Sequence, residues 1–92
     1  MHHYVRIPPS PQMFYVYILK SLKSGIYYKG FTSSLNGRLK NHNSGKVKST
    51  KAHRPWEIHY YEEYESKTDA IKREYFFKSI DGYNWLRNKG II

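Results

Sequence analysis

Two β-branched and aromatic runs, residues 14–20 (FYVYILK) and 26–32 (IYYKGFT), are separated only by residues 21–25, which end in Gly25. Side chains of this kind favour the pleated, half-buried surface of a strand. A loop this short, closed by glycine, joins two strands as an antiparallel hairpin. Residues 56–64 read as a third strand that follows Pro55, with Ile58 and Tyr60 expected on one face. Ser33 or Ser34 can cap a helix from Leu35 to about Asn43, and Gly45 stops it. Ser66 to Asp69 starts a second helix, with Asp69 in place of the glutamate of a capping box; it runs to about Ser79. A short third helix begins at Asp81 or Gly82, runs through Asn88 and ends at Gly90. The order is ββαβαα: an α+β fold, a small three-stranded antiparallel sheet flanked by helices.

At 92 residues there is room for one modest core. Ten tyrosines raise the aromatic share to 17%, so rings supply much of its buried area. Pro8, Pro9 and Pro11 rule out regular pairing near the N-terminus. Residues 1–12 are therefore expected to be a disordered tail and residues 13–92 the folded domain. The absence of cysteine excludes a disulfide framework, a thiolate zinc site and a cysteine nucleophile. No apolar run approaches the roughly 20 residues of a membrane span. The N-terminus lacks the apolar stretch of a secretory signal, and a cytoplasmic location is expected.

Charge is distributed unevenly. Residues 1–56 carry ten lysines and arginines and no acid, whereas residues 57–92 carry six bases and all seven acids. A concentrated basic half attracts polyanions through counterion release. Nucleic acid is the expected partner, because no basic amphipathic helix accompanies the charge to favour a membrane. The basic residues expected to contact it are Lys29, Lys40, Lys46, Lys48, Lys51 and Arg54, the last four within the acid-free loop 46–55.

In the first predicted helix, Leu35, Arg38, Leu39 and His42 share one face. A basic residue on such a stripe often snorkels at its edge, but two donors one turn apart also suit a phosphate. In the second, Glu74 lies four after Ala70, three after Ile71 and three before Phe77, in the middle of an apolar stripe. A carboxylate there is costly unless it is paired or binds a cation. A structural ion pair is one reading; a hard-metal ligand is the other, since magnesium needs only one or two carboxylates when phosphates and water complete its shell. On the second strand Gly30 follows Tyr28 on the same face, and glycine inside a strand marks close approach of another group.

Together Tyr15-Val16-Tyr17, then Tyr28-Lys29-Gly30, then the helix with Arg38 and His42, and finally Glu74, resemble the GIY-YIG nuclease superfamily. The stretch from Arg38 to Glu62 and the segment DAIKREYFFKS resemble its small stand-alone members, related to the nuclease domain of the excision-repair endonuclease subunit. The resemblance spans residues 13 to about 88. The triplets depart from the family pattern: the first reads Tyr-Val-Tyr, and the second has Lys29 for isoleucine. The resemblance implies a DNA endonuclease, linked to DNA repair, that uses Mg²⁺ or Mn²⁺. It assigns Tyr17, Tyr28, Arg38, His42 and Glu74 to catalysis, with Glu74 on the metal and Asn84 as a weaker candidate in the phosphate network. Either Tyr17 or Tyr28 activates water, and His42 positions or relays a proton near neutral pH. A domain this small carries no appended recognition module, so low intrinsic sequence specificity is expected, with a protein partner as one source of selectivity. The alternative is a non-catalytic nucleic-acid-binding module of the same fold.

Overall fold

Apolar side chains leave residues 14–21 in both directions, Val16 and Ile18 one way and Tyr17 and Leu19 the other. A strand of that kind has to be covered on both faces. In the computed structural model, which describes residues 12–92, it is. This strand, β1 (Phe14–Ser21), lies between β2 (Tyr27–Thr32) and β3 (Trp56–Tyr64) in a three-stranded antiparallel sheet. Helix α1 (Leu35–Ser44) covers one face, where Tyr17, Leu19 and Trp56 pack with Leu35, Leu39 and Ile58. Helices α2 (Lys67–Lys78) and α3 (Ile80–Asn88) cover the other, around Val16, Ile18, Ala70, Phe77 and Leu86. The ββαβαα order is as expected. The expected tail, residues 1–12, lies outside the described residues apart from Gln12.

Helix starts follow the capping residues. Ser34 Oγ accepts from Gly37 N, Ser66 Oγ from Asp69 N, and Ser79 Oγ from Gly82 N. The Ser79 cap starts α3 at Ile80, slightly ahead of the expected Asp81 or Gly82. Gly45 ends α1 in the left-handed region, with φ 84°, a conformation glycine adopts without a Cβ penalty.

One expectation about β3 is overturned. Ile18 pairs with Tyr60 but Leu19 pairs with Ile58, so His59 is an extra residue in β3. This bulge turns the strand over. Ile58 packs on the α1 side and Tyr60 on the α2–α3 side, not together on one face.

The α2–α3 side contains a closed charge network. Arg73 Nε donates to Glu62 Oε1 at 2.8 Å, Tyr60 donates to Oε2 at 2.5 Å, and Tyr64 to Oε1 at 2.7 Å. The Arg73 guanidinium also lies 4.4 Å from the Trp85 ring centre and 4.8 Å from that of Phe77. Burial opposes the Glu62 charge, but the hydrogen bonds from Arg73, Tyr60 and Tyr64 prevail and hold its carboxyl below the usual range. Burial and the bond to Glu62 push both tyrosines up to about 12. Among the described residues, no helix is long and apolar enough to cross a membrane.

Candidate active site

On the α1 face the polar groups are arranged differently. Tyr17 on β1 pairs with Gly30 on β2, the outer strand. A Cβ at position 30 would overlap the phenol end of Tyr17. The missing side chain thus lets the Tyr17 ring lie across β2 with its hydroxyl toward the sheet edge. The close approach read from Gly30 in the sequence is that of a neighbouring side chain.

Helix α1 brings two residues to this hydroxyl. Arg38 Nε donates to Tyr17 Oη at 3.3 Å, and Tyr17 Oη lies 3.1 Å from His42 Nε2. His42 is fully buried, deeper than its place at the border of the apolar stripe suggested. Its other ring nitrogen, Nδ1, lies 2.8 Å from Thr50 Oγ1, which also reaches Val47 O at 3.3 Å. The Tyr28 ring packs against the imidazole at 4.9 Å between centres and against Tyr17 at 6.4 Å. The two tyrosines therefore differ in position: Tyr17 is bonded into the chain of polar groups, and Tyr28 walls it.

The electrostatics follow from burial beside a fixed cation. Burial raises the Tyr17 pKa, while the hydrogen bond and charge of Arg38 pull it back down; the charge of Glu74 is close enough to add a small rise. Burial, reinforced by the Arg38 charge, pushes His42 down to about 4. The imidazole is therefore neutral at physiological pH. It is a neutral hydrogen-bonding group and a weak base. The hydrogen bond with Tyr17, with Tyr28 adding to it, raises the Arg38 pKa and fixes its charge.

Glu74 is part-buried on α2, with the same 17% side-chain exposure as Glu62, and it pairs with Lys78 Nζ at 3.0 Å, the structural ion pair that was one of its two readings. Lys78 is exposed, and an i,i+4 surface pair is weak enough to be displaced. Glu62, by contrast, is already saturated by three donors. No group of three or more His, Asp or Glu side chains forms a metal cage among the described residues. One carboxylate, completed by substrate phosphates and water, is nevertheless a set magnesium accepts, and Glu74 fits it.

The expected nucleic-acid contacts separate. Lys40 and Lys46 line an open groove of about 510 Å³ with Arg38, Thr32 and Ser34. Lys48, Lys51 and Arg54 line a second hollow of about 610 Å³ together with Lys23, which the sequence pattern does not single out because it sits alone in the hairpin loop. Lys29 faces the other way: its Nζ donates to Phe77 O at 2.8 Å, and burial and the nearby Lys78 charge lower its pKa. Asn84 lies exposed on α3. Thr50 is a further residue of the site that sequence does not reveal, since it carries no periodic signal in the basic loop.

A family model described as the GIY-YIG catalytic domain matches residues 13–84. The chain belongs to the GIY-YIG family. GIY-YIG domains are nucleases, so the substrate class that goes with this one is nucleic acid. A UPF0213 protein of Bacillus pumilus is 43% identical over 76 residues, which cover 82% of this chain and 71% of that relative. One from Pediococcus acidilactici is 38% identical over 90 residues, 91% of each chain. The solution structure of a UPF0213 protein from Bacillus halodurans is 34% identical, covers 83% of both chains and superposes with a TM-score of 0.49. This GIY-YIG domain is thus similar to small stand-alone proteins.

Proposed function

We propose that this GIY-YIG domain is a divalent-metal-dependent endonuclease that hydrolyses DNA phosphodiester bonds with low intrinsic sequence specificity. The observation that carries the reading is the bonded set Arg38–Tyr17–His42. It joins a phosphate-binding fork, a phenol and a neutral imidazole at the open edge of the sheet. A phenol with a pKa near or above 10 is a poor base alone. Here Tyr17 can take a proton from the attacking water as it passes its own to His42 Nε2, and His42, whose pKa of about 4 makes its charged form short-lived, releases that proton to solvent. Arg38 binds the non-bridging oxygens, where charge grows in the transition state. Glu74 would hold the divalent ion, magnesium or manganese, which would supply Lewis-acid stabilisation of the phosphoryl group and leaving oxygen. The leaving oxygen is then protonated from solvent. Lys40, Lys46, Lys48, Lys51 and Arg54 hold the backbone on either side of α1, contacts that position DNA without reading its sequence.

The test is incubation of purified protein with supercoiled plasmid, with and without Mg²⁺ or Mn²⁺, beside Glu74→Ala. The expected result is metal-dependent nicking by the wild type. The variant is expected to bind DNA with nearly unchanged affinity and leave it intact. Binding without nicking by the wild type, across metals, salts and DNA structures, would replace this reading with that of a non-catalytic binding module. Nicking by well-folded Glu74→Ala would remove Glu74 as metal anchor.

A further inference from the structure

Thr50 is 1% exposed in a loop otherwise rich in solvated lysines. Its backbone is held on both sides. Thr50 N donates to Val47 O at 3.1 Å, and Thr50 O accepts from His53 N at 3.2 Å and from Trp56 Nε1 at 2.9 Å. Trp56 is in turn gripped by Asn43 of α1, whose Oδ1 accepts from Trp56 N at 2.6 Å and whose Nδ2 donates to Trp56 O at 3.0 Å. The path of the loop is thereby fixed to the helix that carries His42, and it delivers a hydroxyl to the buried side of the imidazole.

Counting protons gives that hydroxyl a role. Thr50 has one hydroxyl hydrogen and two neighbours, Val47 O and His42 Nδ1. If it donates to Val47 O, Nδ1 carries a hydrogen and donates to Oγ1. Nε2 then presents a lone pair to the Tyr17 hydroxyl, while Tyr17 oxygen accepts from Arg38 Nε. Every donor has an acceptor. In the other arrangement Nε2–H points at a phenol oxygen that already receives the Arg38 hydrogen, and the Tyr17 proton has no acceptor in the chain.

We propose that Thr50 is a positioning residue: Oγ1 accepts from His42 Nδ1–H and holds the imidazole in the tautomer whose Nε2 accepts from Tyr17. The partner on one ring nitrogen decides which form the other takes. The consequence for cleavage rests on the proposed nuclease activity; the tautomer itself does not.

The experiment has two independent arms. Long-range ¹H–¹⁵N correlation spectra of the histidine side chains are expected to show wild-type His42 with Nδ1 protonated and Nε2 bare at pH 7. In Thr50→Val, which keeps the β-branched shape without the hydroxyl, the Nε2–H form is expected to become populated. Thr50→Ser is expected to retain the wild-type pattern. In plasmid nicking, Thr50→Val should lose roughly 10- to 100-fold in rate at saturating DNA with unchanged DNA affinity, and Thr50→Ser should recover most of it. A wild-type spectrum with Nε2 protonated overturns the proposal. So does a folded Thr50→Val protein with the wild-type tautomer, or a Thr50→Ser as slow as Thr50→Val. Wild-type protein that nicks nothing overturns the nuclease reading instead and leaves the spectra to decide Thr50.

Discussion

The two faces of the sheet bury polar groups by opposite rules. On the α2–α3 side Glu62 meets Arg73 and two tyrosine hydroxyls, so charge is matched and the donors are satisfied within the protein. On the α1 side Tyr17, Arg38, His42 and Thr50 form a comparable chain of bonds with no carboxylate in it. Among the described residues the ion pairs are Arg73–Glu62 and Lys78–Glu74, and Arg38 belongs to neither. A matched network holds a fold together. A network that leaves its cation uncompensated suits the anionic substrate of the proposed nuclease, and the difference lies in the missing acid rather than in the number of hydrogen bonds.

Arg38→Ala gives the sharpest break. Removing the rim cation should lower cleavage by about 10²–10³-fold, the scale for a donor that acts on developing charge. Thermal stability should move little, and Arg38→Lys should not restore the rate, because an ammonium lacks the planar fork. Full activity with lysine would mean that net charge alone is needed. Gly30→Ala tests the same face through geometry. The new methyl must displace the Tyr17 phenol, and a shift of about 1 Å at reacting groups costs on the order of 10²-fold. Nicking rates set against melting temperature distinguish displacement from unfolding.

Glu62→Ala addresses the closed network. It strips the partner from Arg73 and from two phenols, at roughly 1–3 kcal/mol of stability. Denaturant unfolding should register that loss while the nicking rate of the remaining folded protein stays near wild type. A large rate loss at full stability would mean that the two faces are not separate.

The faces also answer to pH in different windows. Folded His42 has a pKa of about 4, below that of the unfolded chain, so between about pH 6.5 and 4 the unfolded state takes up a proton that the folded state refuses. The associated stability is present above pH 6.5 and is lost as pH falls through that window, with a slope of up to about 1.4 kcal/mol per unit. Glu62, whose pKa is lowered on folding, contributes stability that is lost only as pH falls below the ordinary carboxylate range. Urea titrations at pH 7, 6 and 5 should therefore give a sloping wild type and a flatter His42→Gln. Equal slopes would place the His42 proton elsewhere.

The smallest change is expected from Lys46, Lys48 and Lys51 replaced by glutamine. Binding should weaken about equally for different sequences. The dependence of log affinity on log salt should flatten by roughly 0.9 for each DNA phosphate that is no longer neutralised. Cleavage at saturating DNA should persist. An unchanged salt slope would move the DNA path off this loop.

Strands and helices were legible because β-branched runs, capping serines and Gly45 are local signals. So was the pair Arg38 and His42, since helical spacing puts them on one face, whereas Tyr17 stands out only through the family resemblance. The bulge at His59 was not, because Ile58 and Tyr60 keep an unbroken period of two whichever side each packs on. Lys29 read as a phosphate ligand from its charge, yet β2 alternates and sends it to the face opposite Tyr28. Glu74 read as central because Ala70, Ile71 and Phe77 surround it in projection, and it is part-buried there, but only Ala70 and Phe77 are fully buried and the carboxylate is paired with Lys78. Thr50 depends on a tertiary arrangement of Asn43, Trp56 and the loop that spacing does not encode.

Lys29 has a consequence of its own. Arg38 and Glu74 stand on helices in different layers, with the sheet between them. Their separation is therefore a thickness, and the bond from Lys29 to Phe77 O, one turn beyond Glu74, is a strut that sets the half of it between the sheet and α2. If the proposed nuclease binds one phosphate between Arg38 and Glu74, shortening that strut should alter the fit of that phosphate while leaving each layer as it was.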